Sequence, residues 1–168
     1  MQPGRTPNWN IVAELESSAW LEAVQLASGD RLLLPAALRN RVSWCTPESS
    51  LPLLATIGPD GGVAVRPLSD QQESLKAIKV ALQGAEPAKR ASLTLAAMAT
   101  YCRISLQPDG RLRLSPTLAL HLGGVLGGHI WVGAHADIIT LWSEKDWAQL
   151  LVQSTGALSQ AMVDSLPG

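Results

Sequence analysis

Apolar and polar positions alternate along short runs of this chain, and the runs recur in the same order twice. Ala23–Leu26 and Arg31–Leu34 read as two short strands joined through Ser28-Gly29-Asp30, a hairpin by its turn chemistry. Pro35 suits the first turn of a helix, where its missing N–H is not needed, so Ala36–Val42 reads as a short helix. Leu53–Ile57 and Val63–Arg66 form strands around the turn cluster Gly58-Pro59-Asp60-Gly61-Gly62. Ser69 with Gln72 has the spacing of a capping box and predicts a helix through about Leu82. Gly84–Lys89 reads as a linker, and a helix over Ala88–Ala99 follows.

The second series begins at Cys102–Leu106, which turns at Pro108-Asp109-Gly110 into Arg111–Leu114. Pro116 opens another short helix, and His129–Val132 and Asp137–Trp142 pair across Gly133–Ala136. Ser143 is an N-cap, with Asp146 in the box position, for a helix from Glu144 to about Leu166.

The repetition extends to the residues themselves. Asp30–Val42 reads DRLLLPAALRNRV and Gly110–Leu122 reads GRLRLSPTLALHL. At an offset of 80, Arg31 meets Arg111, Leu32 meets Leu112, Leu34 meets Leu114 and Leu38 meets Leu118. Farther on, Leu53–Leu75 resembles His129–Leu151 at an offset near 75. The chain therefore divides into an N-terminal arm (1–21), a first repeat (22–83), a linker and connecting helix (84–100), a second repeat (101–151) and a C-terminal helix or tail (152–168).

Composition makes this a globular chain: of 168 residues, 46% are hydrophobic and 16% charged. The net charge of −1 excludes a generally polybasic protein, but the charge is unevenly spread. Residues 1–30 sum to −3, residues 31–113 to +5 and residues 114–168 to −3, so the cationic character lies in the middle. Cys45 and Cys102 make neither a disulfide framework nor a metal quartet, and read as small buried hydrophobes. The N-terminus has no apolar signal-peptide core, so the expected location is the cytoplasm. Leu114–Ala136 lacks acidic and basic side chains, but its glycines and proline break it into turns, so no membrane span is expected.

Arginine dominates the candidate chemistry. Arg31, Arg39, Arg41, Arg111 and Arg113 are the candidate DNA contacts, with Arg66 and Arg103 beside them. The planar guanidinium fork pairs bidentately with phosphate or a guanine edge, and a two-stranded hairpin fits the major groove. Strand arginines equally serve as solvated side chains or partners for carboxylates. The tryptophans, including Trp131, Trp142 and Trp147, read as core rather than as base-stacking platforms. His129, His135 and Asp137 read as polar turn residues rather than metal ligands. Gly123–Gly128 lacks the Lys-Ser/Thr of a phosphate loop. No nucleophile–base–orienter trio is signalled, so neither an enzyme, a cofactor nor a small-molecule substrate is expected.

Gly29–Arg39 (GDRLLLPAALR), Pro108–Pro116 (PDGRLRLSP) and Ile138–Trp147 (IITLWSEKDW) together resemble the MraZ family, within the SpoVT/AbrB swapped-hairpin superfamily. The resemblance covers about Glu22 to Leu151. It implies a β-rich α+β fold: two tandem, intertwined swapped-hairpin repeats forming one pseudo-twofold, barrel-like unit with peripheral helices. It also implies a bacterial, sequence-specific regulator of transcription that binds double-stranded DNA, assembles as a homo-oligomeric ring and works at the nucleoid. Carried over by position, Arg31 and Arg111 lie on the DNA face. The chain departs from the family pattern at Ala27 and Gln107, at Gly29-Asp30, at Ser115 and at Ala119. These departures keep a second expectation open: an assembly module, or an antitoxin-like regulator, of the same fold that has lost DNA binding.

Overall fold

The computed structural model describes residues 19–26, 30–123 and 128–166. Most of the expected N-terminal arm, the turn residues Ser28 and Gly29, the departure at Ala27, and positions 124–127 of the glycine-rich loop lie outside them. In chain order the elements are β1 (Trp20–Gln25), β2 (Arg31–Leu33), α1 (Ala36–Arg39), β3 (Leu51–Ile57) and β4 (Val63–Pro67). A 3-10 turn at Leu68–Gln71 leads to α2 (Gln72–Gly84) and α3 (Pro87–Thr100). There follow β5 (Tyr101–Leu106), β6 (Arg111–Arg113), α4 (Pro116–His121), β7 (His129–His135), β8 (Ile138–Ser143) and α5 (Glu144–Ser165).

The eight strands form one antiparallel sheet in the order β1-β7-β8-β4-β3-β5-β6-β2. The end strands β1 and β2 touch, which nearly closes the sheet into a barrel. The fold is thus α+β and strand-rich, as expected. The expected ladder between β1 and β2 is not among the described pairings: β1 runs along β7, and β2 along β6. Correspondingly β5 runs along β3. Leu32↔Leu112 is the centre of the β2–β6 ladder, flanked by Arg31↔Arg113 and Leu33↔Arg111. Ala64↔Thr140 is likewise the centre of the β4–β8 ladder.

Alternation along the strands builds the interior. Leu32 and Leu112 are fully buried between exposed neighbours, and Cys102, Ile104 and Leu106 of β5 point the same way. They meet Leu53, Val63, Val65, Ile130, Val132, Ile139 and Leu141 in one core. Leu38 and Leu118, one from each short helix, plug it. Among the described tryptophans only Trp142 is buried; Trp20 and Trp44 are half-buried against the core, and Trp147 of α5 stacks on half-buried Trp131, outside the core cluster, at 5.1 Å between centroids. Trp131, Trp142 and Trp147 dock the start of α5 on β7 and β8.

Several expected boundaries shift, each for a local reason. Strand β7 is longer than the alternation suggested and β8 is shifted by one residue, because their turn is only Ala136-Asp137, both in the left-handed region (φ 52° and 64°). Two consecutive left-handed residues match the right-handed twist of the strands they join. Asp137 is held there by the backbone N–H and hydroxyl of Ser43, and its carbonyl accepts from the Trp44 indole at 2.8 Å. Helix α1 ends at Arg39 rather than Val42 and unwinds into successive turns. The Ser69 capping box does not form: the Gln72 amide donates to the Leu68 carbonyl at 3.1 Å, and the helix begins at Gln72. The linker shrinks to Ala85-Glu86, where Arg90 donates to the Gln83 and Ala85 carbonyls at the end of α2. The Ser143 cap forms, accepting from Asp146 N–H at 3.1 Å. Among the described residues, no helix is long and apolar enough to cross a membrane.

Burial also tunes one thiol. Cys45 is almost wholly enclosed, and desolvation, with Asp137 second, pushes its pKa from about 9 up to about 12. The native chain therefore holds roughly a thousandfold less thiolate at pH 8 than the unfolded chain. In a Cys102→Ser background, iodoacetamide is expected to label native protein far more slowly than protein in denaturant. The folded state keeps its proton longer than the unfolded state, so this group's contribution to stability falls as pH rises from about 9 to about 12.

Candidate nucleic-acid interface

The two shortest strands carry the densest charge. Because side chains alternate, burying Leu32 and Leu112 turns Arg31, Leu33, Arg111 and Arg113 outward together on the β2–β6 ribbon. Register then sets Arg31 directly across from Arg113, with Leu33 across from Arg111. Ser105 of β5 stands on the other side of Arg113, so the row Arg31–Arg113–Ser105 crosses three strands. Like charges directly opposite one another repel, at a cost of about 0.2–1 kcal/mol.

The β5–β6 turn builds one wall of a groove beside this row. Gly110 is left-handed (φ 90°) and its N–H donates to the Gln107 carbonyl at 3.0 Å. Asp109 accepts from the Arg111 backbone N–H at 3.1 Å and from its guanidinium at 2.5 Å. Those two bonds, the backbone one foremost, hold the Asp109 carboxyl below the usual carboxylate range. The resulting open groove, about 390 Å³, is lined by Arg31, Gln107, Pro108, Asp109, Arg111 and Arg113. Gln107 also donates to the hydroxyls of Ser50 and Ser105.

Not all the candidate arginines meet here. Arg39 donates to the Leu34 carbonyl at 3.1 Å and lies so close over Gly110 that a Cβ there would stand 2.8 Å from its guanidinium carbon. It therefore buttresses the turn that bears Asp109. Arg41 turns to the chain itself: it donates to the Ala37 carbonyl at 2.6 Å and its guanidinium sits 4.3 Å above the Trp20 ring. Arg66 and Arg103 lie farther along the sheet, on either side of Leu54 in register. Sequence reasoning found the three ribbon arginines but missed Gln107 and Asp109 as groove residues. The signal for Asp109 was its place in a Pro-Asp-Gly turn, where an aspartate bonds backbone two residues on.

The histidines do not converge. His129 and His135 occupy opposite ends of β7, with His129 3.4 Å from Glu144. His121 contacts the Gly61 carbonyl at 2.7 Å. Among the described residues, no group of three or more His, Cys, Asp or Glu is placed to hold a metal ion. No protein-family model matches this sequence, and no curated protein matches it.

Proposed function

We propose that the chain is a double-stranded DNA-binding regulator, built as two tandem swapped-hairpin repeats of the MraZ type and acting as a homo-oligomer. The repeat reading is supported by the pairing pattern. Exchanging β1, β2, β3 and β4 for β5, β6, β7 and β8 turns β1–β7 into β5–β3 and returns β2–β6 and β4–β8 to themselves. The two self-paired ladders are centred on residues 80 and 76 positions apart, close to the offsets of the sequence repeat.

One observation carries the DNA reading: Arg31 faces Arg113 on the outside of a two-stranded ribbon, with Arg111 two pairs along on the same face. A fold that places like charges opposite each other leaves an unfavourable field that an anion relieves. The ribbon is narrow enough for the major groove, and each guanidinium can take a phosphate or the O6 and N7 of guanine. Three arginines per chain give modest affinity, which several copies on one duplex raise through avidity.

The test is a salt titration of binding to duplex DNA from upstream of the chain's own coding region, with competitor DNA present. About three phosphate contacts per engaged chain predict a slope near −3 in log K against log salt, multiplied by the chains engaged. Binding that is absent at low salt, or that lacks salt dependence, overturns the reading. Asp109 sharpens the test, because it holds Arg111 and adds a negative charge to the groove. Asp109→Asn is expected to tighten binding several-fold at low salt and to steepen the slope.

The same Asp109–Arg111 pair favours the second reading, an assembly module without DNA binding, in which ribbon arginines meet carboxylates. In that case Asp109→Asn leaves DNA affinity unmeasurably weak.

A further inference from the structure

Of the twelve large apolar side chains exposed among the described residues, nine lie on just three helices, α2, α3 and α5, and a tenth, Leu166, directly follows α5. None of these helices contains a buried residue. After Trp147 and Leu150, α5 leaves the barrel, and its residues from Leu151 to Ser165 are all exposed. Over that stretch Leu151, Leu158 and Met162 recur at spacings of seven and four, which is one face of a helix. Gln149, Gln153, Gln160 and Asp164 take the opposite face. On α3, Ala88, Ala91, Leu95 and Met98 recur at three, four and three and make a second stripe, with Leu95 66% and Met98 67% exposed. Helical stability in water comes mostly from packing an apolar face, so both solvent-facing stripes call for a cover.

The chemistry of the two stripes selects the cover. The polar face of α5 has no lysine or arginine beyond Lys145, which gives an anionic lipid surface nothing to attract. Pairing the free halves of α5 in parallel stacks Asp164 on Asp164, and in antiparallel it brings no opposite charge to that residue. The α2–α3 hairpin differs in sign. Between Gln72 and Thr100, four basic side chains oppose two acidic ones, whereas the free half of α5 carries one acid, Asp164, and no basic side chain. The alanines of α3 also leave room for the leucine and methionine side chains of an incoming helix.

We infer that the free half of α5 docks on the α2–α3 hairpin of a second copy of this chain, a head-to-tail contact between two different surfaces. Repeated, such a contact closes a ring or extends a chain of subunits. It supplies the multivalency on which the avidity part of the proposed function rests. The segment Val152–Leu166 lies beyond the stretch that carries the family resemblance.

The experiment is size-exclusion chromatography with light scattering on the full chain, without DNA, at high micromolar concentration. Wild type is expected well above the 17.8 kDa of one chain. Leu158→Glu with Met162→Glu removes one surface, and Leu95→Glu with Met98→Glu the other. Each doubly substituted chain is expected at the mass of one chain, with a cooperative circular dichroism melt retained, because the positions lie on the surface of a single chain. Mixed in equal amounts they still offer one intact surface each, so they are expected to form a species of two chains and nothing larger.

Monomeric wild type overturns the inference, as does either double variant keeping the wild-type mass. A mixture that stays monomeric overturns it as well, including the case where α5 serves an unrelated protein. Should the glutamate variants melt early, Leu158→Gln and Leu95→Gln carry the same comparison, with at least a tenfold rise in the dissociation constant expected. All sizing is done without DNA, so failure of the DNA reading leaves this result standing, and the reverse holds too.

Discussion

Arg31→Gln, Arg111→Gln and Arg113→Gln combined are expected to lower affinity for duplex DNA at least about 100-fold at low salt, since each lost arginine contact costs about 1–3 kcal/mol. The effect follows from geometry, because the three side chains share one exposed face and one groove. Glutamine keeps much of the length and the hydrogen-bonding capacity while removing the charge, so the slope of log K against log salt should flatten along with the loss. None of the three is buried, so the thermal midpoint should hold or rise slightly as the Arg31–Arg113 repulsion is relieved. Arg41→Gln is the contrasting case. Its guanidinium is spent on the Ala37 carbonyl and the Trp20 ring, so it should lower stability and leave DNA affinity nearly unchanged. Fluorescence anisotropy across a salt series, paired with thermal melts, separates the two. Equal affinity of the triple variant and wild type removes the ribbon from the function.

Leu112→Ala is expected to destabilise the chain by about 2–5 kcal/mol, from lost burial plus the cavity left behind. For a chain of this size each kcal/mol moves the thermal midpoint by about 2–4 °C. Leu112 is fully buried and sits opposite Leu32 at the middle of the ladder that attaches the end strand β2 to the sheet. Leu32→Ala should cost a similar amount, and the double variant should differ from the sum because the two are direct neighbours. Leu33 lies one position along the same strand but is 42% exposed, so Leu33→Ala should stay within about 0.5 kcal/mol of wild type. Denaturant melts of the four variants decide it. A Leu112→Ala chain as stable as wild type would mean that the β2–β6 ribbon is not seated on the core.

The order of the elements was legible in the sequence because strand alternation, Pro-led short helices and Gly-Asp turns are local signals, and the offset of 80 gave the correspondence of Arg31 with Arg111. Which strand lies beside which was not legible. A turn between Leu26 and Arg31 says that the chain reverses, but β1 finds its partner in β7, more than a hundred residues away. The tight β7–β8 turn was hidden because alanine does not signal a left-handed backbone; Ala136 adopts it under the anchoring of Asp137 by Ser43. The site was half legible. Alternation alone puts Arg111 and Arg113 on one face, but only the cross-strand register brings in Arg31. Arg39 and Arg41 read like the others in sequence, yet a backbone carbonyl and a tryptophan ring claim them.

The exchange of partners between the halves also governs how the chain acquires its structure. Strand β1 waits for β7 and β4 waits for β8, so the sheet cannot be completed until residues up to Ser143 have left the ribosome. Until then Leu32, Leu53 and Val65 have only part of their cover. Ordering so many distant partners at once makes the contact order high, which slows folding and makes it cooperative. The short connection Ala85-Glu86 works against that delay, because α2 and α3 can pair early and deliver β5 to β3 before the rest of the second half arrives. Among the described strands, β1 is made first and yet can be seated only once β7 has emerged.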